Sequence, residues 1–301
     1  MIDKKYPLVS FVSLTYNHAK FIEDTIAGAL SQDYQNIQII ISDDASTDGT
    51  YEVMKRYLQN HPTNANVILN CNEKNLGLVP HLNYLMENFV QGDIVVLAGG
   101  DDISLPNRVS ETVDIFLSDD SIKMVTGQMN RINAEGEFIE QAPPLSDGKY
   151  QLDDKYIRSL TFMCGASAMA FRREVWESFG LLINECPTED SVLRFRALLM
   201  GTIYVSPNVF IKYRIHKNNI SRPSNMNNLK TSGIVAQLNR DLSSAQMNHM
   251  ISDSIVKRLR NKIFIFKLYR NLGIIKYGKS KIVRGIIKIP QLVLQKQVER
   301  I

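Results

Sequence analysis

Asp101 and Asp102 stand side by side in "IVVLAGGDDISLP", directly after an apolar run and two glycines. Adjacent carboxylates repel each other and are costly beside an apolar core unless a cation or a charged ligand joins them. As hard oxygen donors they suit Mg2+ or Mn2+ bound to a diphosphate, which keeps its other positions for water and phosphate oxygens. Gly99 and Gly100 let the backbone approach a bulky ligand. The same four residues also suit a surface turn. A second pair, Asp43 and Asp44, ends the run "NIQIIISDD". There Asp43 could accept a hydrogen bond from a nucleobase N–H, while Asp48 in "STDGT" reads as a helix cap. Tyr16, closing the first apolar run, could stack on the same base or pack on the sheet edge.

Further along, Glu189 and Asp190 open "EDSVLRFRALLMG". Acids at a helix start are favoured by the macrodipole, and beside a metal–diphosphate site such a carboxylate could equally serve as general base. His216 follows Tyr213 and Arg214 at the end of an apolar run. Most lone histidines are structural, but one beside cations at a strand end could reach a diphosphate or a metal.

The elements that position these groups follow from periodicity. "LVSFVSL" is a short β-branched run, and "AKFIEDTIAGALSQ" puts Phe21, Ile22, Ile26, Ala29 and Leu30 on one helical stripe. Strand and helix then alternate through "NIQIII", "DGTYEVMKRYLQN", "ANVILN", "PHLNYLMENFV" and "DIVVLAG". That alternation predicts βαβ crossovers and a largely parallel sheet covered on both faces. Ligands of such sheets bind beyond the carboxyl ends of the strands. "TYN" (Thr15, Tyr16, Asn17), "DDAS", "NEKNLG" and "GGDD" all fall at those ends and are expected in one crevice. Later, "KMVTGQMNRIN" reads as a strand, "APPLSDGKY" as a loop, "FMCGASAMAFRREVWESFG" as a strand turning into helix, and "IYVSPNVFIKYRIH" as one or two strands. Beyond a linker at "RPSNMNNLK" only helical pattern remains.

With 301 residues, 44% of them hydrophobic, the chain can bury a sizeable core. No run reaches the roughly 18 apolar residues of a membrane span, and the first residues lack a signal peptide's apolar region. Cys71, Cys164 and Cys186 are odd in number and lack a CxxC pair, which argues against a disulfide framework or zinc site and fits reducing cytosol. The net charge of +4 hides an asymmetry. Residues 257–301 hold 13 Lys and Arg against one acid, Glu299, or +12, and the remaining 22 bases and 30 acids give −8. The basic, amphipathic stretch 255–301 suits an anionic membrane surface, or a helix packed with its charged face in water. Nucleic acid is not expected, for lack of a recognition motif.

Taken in order, "SLTYNHAKFIEDTIAGALSQDYQNIQIIISDDASTDGT", "NLGLVPHLN", "DIVVLAGGDDISLPNRV", "TEDSVLRFRALLMG" and "YRIHKNNIS" resemble the family 2 glycosyltransferases over residues 7–221. The resemblance implies an α/β GT-A fold: a Rossmann-like, mostly parallel sheet flanked by helices, here with a C-terminal helical extension. It divides the chain into a catalytic domain, 1–221, with a nucleotide-sugar half (1–110) and an acceptor half (111–221), and a basic helical region, 222–301. It implies inverting transfer from a nucleotide-sugar, usually UDP-linked, to a hydroxyl. Thr15 and Tyr16 would bind base and ribose, Asp43 would read the base, and Asn75 and Gly77 would line the nucleotide side. Asp101 would meet ribose or metal, Asp102 the metal, and His216 the diphosphate or metal. Asp190 would deprotonate the acceptor, with Glu189 beside it. The family often carries an acid where this chain has Gly99, so only the last two acids of that motif remain.

The "CGASAMAFRREVW" stretch would wall the acceptor side, with Phe162, Phe171 and Trp176 available to stack on sugars or to pack the core. With the basic tail, these features point to a peripheral enzyme at the inner face of the cell membrane, acting in surface-polysaccharide synthesis on a glycan or a polyprenyl-diphosphate-linked acceptor. A haloacid-dehalogenase-type phosphatase is excluded because Ser46 stands where its nucleophilic Asp would be. A receiver domain would need its acids after the first strand, and a Rossmann dehydrogenase would need GxGxxG there. A nucleotide-binding protein of this fold without turnover is the alternative.

Overall fold

The computed structural model describes residues 6–143, 145–152, 166–222 and 229–271. The first third follows the expected alternation: β1 (Val9–Thr15), α1 (Ile22–Leu30), β2 (Ile37–Asp43), α2 (Thr50–Asn60), β3 (Asn66–Cys71), α3 (Leu78–Asn88) and β4 (Ile94–Gly99). β1 and β2 are buried along their whole length, as strands covered on both faces must be. Then come β5 (Ile103–Ser104), α4 (Arg108–Ser118), β6 (Ile122–Ile132), β7 (Phe138–Gln141) and β8 (Gly148–Tyr150). A 3-10 turn leads into β9 (Met169–Arg172), α5 (Glu174–Glu177), α6 (Asp190–Met200) and β10 (Thr202–Arg214). Helices α7 (Thr231–Met247) and α8 (Asp253–Asn271) complete the described chain.

The strands form one sheet in the order β3-β2-β1-β4-β9-β6-β10-β5, with β7 on β6 and β8 on β10. β3, β2, β1 and β4 are parallel; β9 runs antiparallel between β4 and β6, and β10 is parallel to β6. The chain leaves β1 toward β2 and β3, then returns to place β4 on the other side. That reversal opens a crevice at the carboxyl ends of β1 and β4. One face of the sheet packs on α1, α2 and α4, through Ile22, Ile26, Met54, Val109 and Phe116. The other packs on α3, α5, α6, α7 and α8, through Leu82, Trp176, Leu193, Leu238 and Leu259.

β5, β7 and β8 are too short, or too exposed, to carry a periodic signal, and β8 lies inside the stretch read as a loop. The "IYVSPNVFIKYR" stretch is a single strand. Its register shifts between Val205 and Val209, beside Pro207, which has no N–H to give a ladder. Gln128 covers the gap, donating to Leu145 O and Ser206 O and accepting from Leu145 N. Where β4 and β9 part after Val96 and Ala170, the next carbonyls, Leu97 O and Met169 O, accept from the buried Arg108 guanidinium at 2.7 and 3.2 Å. Buried carbonyls need such partners.

The helical extension shares the main core. On α7, Ile234, Leu238, Leu242 and Ala245 are buried. Arg196 of α6 makes a bidentate, fully buried ion pair with Asp241 at 2.8 and 3.1 Å, and Gln237 donates to the same carboxylate. Gly233 is required by close approach: a Cβ there would stand 2.0 Å from Glu185 O. The basic stretch from residue 272 onward lies outside the described residues. Among those described, no helix is long and apolar enough to cross a membrane.

Candidate active site

Three loops meet at the crevice. Asn17, in a left-handed turn after β1, takes the Ser46 hydroxyl on its backbone N–H at 2.7 Å and accepts from Thr47 N at 2.9 Å. The loops after β1 and β2 are thereby joined. Asn tolerates the positive φ that this requires. The Asp43 carboxylate is fully buried, accepts from Ser46 N at 3.0 Å and from the Ser46 hydroxyl, and has the Cys71 thiol at 3.7 Å. Tyr16 is 42% exposed at the mouth.

Asp44 is used internally. It accepts from Asn72 Nδ2, Leu76 N and Gly77 N at 2.8–2.9 Å, fastening the loop after β3. Asn75 closes the same loop by accepting from Gly77 N at 2.9 Å. Thr15 is buried and its hydroxyl lies 3.2 Å from His18 Nδ1, so it faces the turn after β4. That turn is possible because residue 100 is glycine: a Cβ there would stand 2.4 Å from Thr15 Oγ1 and 2.6 Å from His18 Nδ1.

Across the crevice, the ligand atoms of His18, Asp101 and His216 all lie within 4.8 Å of one another. Asp101 Oδ2 is 2.8 Å from His216 Nε2 and accepts from Asn219 Nδ2 at 3.2 Å. Burial pushes the Asp101 carboxyl up, but the His216 hydrogen bond and the two nearby imidazoles outweigh it and hold it below the usual carboxylate range. Burial lowers His18 below the ordinary imidazole value, against the pull of Asp101. Two imidazoles and a carboxylate converging from three strand ends are a donor set that fits a divalent cation.

Asp102, expected at the metal, is not in this group. Its Oδ1 accepts from Arg214 N at 2.8 Å, its backbone carbonyl accepts from Thr25, and it is buried. Burial, then the Asp101 charge, pushes its carboxyl well above the usual range, while Arg214 N–H, the Ser167 hydroxyl and Arg108 pull the other way. The physical reason is the turn: Asp101 is held toward His216 and Asn219, whereas the Arg214 backbone N–H takes the Asp102 carboxylate into the buried side. The Arg214 side chain, also buried, donates to Asp101 O at 2.9 Å and Ala134 O at 3.1 Å, and pairs with Asp24 at 2.6 Å. It ties the two-aspartate turn to α1 and to the end of β6.

Sequence reasoning missed His18, Asn219 and the anchoring role of Arg214. His18 stands in the quoted "TYNH", and only the left-handed turn at Asn17 brings it back over Thr15. Asn219 has a local signal, lying three residues after His216 and accepting from its backbone N–H at 2.6 Å.

The acidic pair opens α6 on the other face of the sheet. Asp190 accepts from Ser191 N at 2.6 Å and Thr188 Oγ1 at 3.2 Å, and pairs with Arg194 at 3.2 Å. Glu189 is buried, its Oε2 lacks a hydrogen-bond partner among the described residues, and burial followed by the Asp190 charge raises its carboxyl to about 7. No hydrogen bond or ion pair among the described residues joins this pair to the His18–Asp101–His216 group. Of the expected acceptor wall, Phe171 and Trp176 are buried core residues, whereas Phe162 and Cys164 lie outside the described residues.

A family model described as "Glycosyl transferase family 2" matches residues 10–180. An uncharacterized glycosyltransferase of Rickettsia felis is 24% identical over 266 residues, covering 86% of this chain and 42% of the relative. This chain spans about two fifths of the length of the first curated relatives it matches. Among solved structures, TarS residues 1–349 of S. aureus in complex with UDP-GlcNAc aligns with a TM-score of 0.60 at 18% identity, covering 86% of this chain and 73% of that one. The mannosyltransferase PcManGT of Pyrobaculum calidifontis, in complex with GDP-Man and Mn2+, aligns at 0.58 and 20% identity, covering 89% and 70%. The sheet and its flanking helices are those of the GT-A fold.

Proposed function

The chain belongs to glycosyl transferase family 2, and from that premise we propose that it is an inverting enzyme that moves a sugar from a UDP-linked donor to a hydroxyl of a glycan or polyprenyl-diphosphate-linked acceptor in surface-polysaccharide synthesis. The observation that carries the reading is the His18–Asp101–His216 group, set at a topological switch point near the Asp43 carboxylate. A divalent cation held there, Mg2+ or Mn2+, would neutralise the charge that builds on the leaving diphosphate. Asp101 and His216 would hold it. Asp43, Tyr16 and Asn17 take the base and ribose, Thr15 supports His18, and Asn75 and Gly77 border the nucleotide side through the loop that Asp44 fastens. Asp190 is the general base: it takes the proton of the acceptor hydroxyl as the acceptor oxygen bonds to the anomeric carbon. The bond from that carbon to the diphosphate oxygen breaks with both electrons leaving on UDP, so one displacement inverts the centre. Arg194, Ser191 and Thr188 aim the Asp190 carboxylate, and Glu189 borders it.

The catalytic unit is 1–221 and the basic region 222–301 places it on an anionic inner membrane surface. On α8 the buried stripe Val256, Leu259 and Ile263 faces the core, while Lys257, Arg258, Arg260, Phe264 and Lys267 are exposed. Lys and Arg near such a surface contribute about 1 kcal/mol each.

Titration calorimetry with UDP, GDP and dTDP, each with and without Mn2+, tests the donor site. Metal-dependent binding of UDP that Asp101→Ala weakens by roughly tenfold or more is the expected result. Binding of no nucleotide would overturn the donor assignment, and binding of a nucleotide-sugar without transfer would favour the non-catalytic alternative.

A further inference from the structure

We propose that His81 is a positioning residue for donor binding: from the first turn of α3 it accepts a hydrogen bond from Ser42 and so closes a buried circuit that holds the loop between β3 and α3 against the end of β2. This rests on the UDP-donor reading above and adds to it a residue that touches no ligand. The circuit can be followed atom by atom. His81 Nε2 lies 2.6 Å from Ser42 Oγ. Asn70 Nδ2 donates to that hydroxyl at 2.8 Å and to Asn72 Oδ1 at 3.0 Å. Asn72 Nδ2 donates to Asp44 Oδ1, and Gly77 N to Asp44 Oδ2, both at 2.8 Å. His81 N then closes the path by donating to Gly77 O at 2.9 Å. Asn72 N also donates to Asp43 O at 2.9 Å, so the same circuit steadies Asp43, assigned to the base, and the loop that carries Asn75.

Packing alone does not ask for a histidine here. Val79, Leu82, Leu85 and Met86 of the same helix are buried apolar side chains, and an apolar residue at 81 would join them. The imidazole instead meets the Ser42 hydroxyl, and Ser42, Asp44, Asn72 and His81 are all buried. Asn70 already gives a proton to Ser42 Oγ, so the hydroxyl's own proton goes to His81 Nε2 and the imidazole proton sits on Nδ1. Burial lowers His81 below the ordinary imidazole value, against the pull of Asp44 and Asp43, which keeps the ring neutral and able to accept. Without that acceptor the Ser42 hydroxyl becomes a buried, unmatched donor, and the circuit is open.

The test combines nuclear magnetic resonance of the imidazole nitrogens, amide hydrogen exchange and UDP calorimetry with Mn2+, on the full chain and on His81→Leu, Ser42→Ala and His81→Gln. In the wild type, His81 is expected as the Nδ1–H tautomer with Nε2 hydrogen-bonded. His81→Leu and Ser42→Ala are expected to speed exchange at the Leu76 and Gly77 amides and to weaken UDP binding roughly five- to tenfold, measured below any lowered melting temperature. His81→Gln, whose Oε1 falls where Nε2 stood and can accept from Ser42, is expected to restore both. An Nε2–H tautomer in the wild type, which needs no variant to fold, overturns the proposal. So does a folded His81→Leu or Ser42→Ala that melts lower yet keeps its UDP affinity, the mark of a merely structural role, and so does a folded His81→Gln that binds no better than His81→Leu. A wild-type chain that binds no UDP refutes the donor reading itself, and is told apart because the tautomer and the exchange at Leu76 and Gly77 are read without nucleotide.

Discussion

At the carboxyl ends of β1, β4 and β10 the crevice residues hold one another, whereas α6, which the acidic pair opens, is anchored by a helix that enters from far along the chain. The first arrangement is made of strand-end loops: Thr15 on His18, Asn219 and His216 on Asp101, Arg214 on the backbone of the two-aspartate turn. The second depends on α7. Asp241 anchors Arg196 of α6, Gln237 accepts from Ile183 N at 2.6 Å, and Asn83 of α3 exchanges two hydrogen bonds with the backbone of Leu182. The family match at residues 10–180 covers Asp101 but ends before Glu189, Asp190, His216 and all of α7. The crevice geometry is thus a product of the strand ends, while α6, which the acidic pair opens, is anchored by the helical extension.

Substitutions should therefore separate the two regions. The largest effect is expected from Asp190→Asn, with turnover reduced roughly 10²–10⁴-fold and UDP affinity by calorimetry unchanged. A parallel loss of UDP binding would break the separation. Asp241→Ala leaves a buried guanidinium without its carboxylate and should cost about 3–5 kcal/mol, read as a drop in melting temperature. UDP affinity measured below that transition should stay close to wild type, and equal losses of stability and UDP binding would show that α7 supports both regions. The smallest effect concerns pH. The Glu189 carboxyl rises to about 7 on folding, so the folded chain keeps a proton that the unfolded chain has lost. Stability is then greatest below the unfolded pKa and falls as pH rises to about 7, by on the order of 3 kcal/mol. Thermal denaturation from pH 5 to 8 should show this slope in the wild type and a flatter one in Glu189→Gln; identical slopes would remove Glu189 as its source.

Much of the fold was legible because βα alternation leaves a double signature, period 2 or continuous apolar runs for strands and 3.6 for helices, each bounded by polar turns. What escaped were β5, β7 and β8, whose pairing is set by neighbours rather than by their own pattern. In the site, the residue types at strand ends named the crevice correctly as the place of convergence. Their orientations were not legible: Asp44 and Asp102 look as available as Asp101 until the loops that consume their oxygens are in place.

The sequence by itself determined the α/β architecture, the clustering of polar residues beyond the strands and the basic, helical character of the extension. All three are local or periodic properties, written in spacing. Tertiary structure decided which aspartate of the adjacent pair faces the crevice, that His18 joins it, and that α7 packs against α6. These are contacts between residues as much as 198 positions apart in the numbering, from His18 to His216. They depend on strand order and on single close approaches at Gly100 and Gly233, where a methyl group would collide with the Thr15 and His18 side chains and with the Glu185 backbone, respectively.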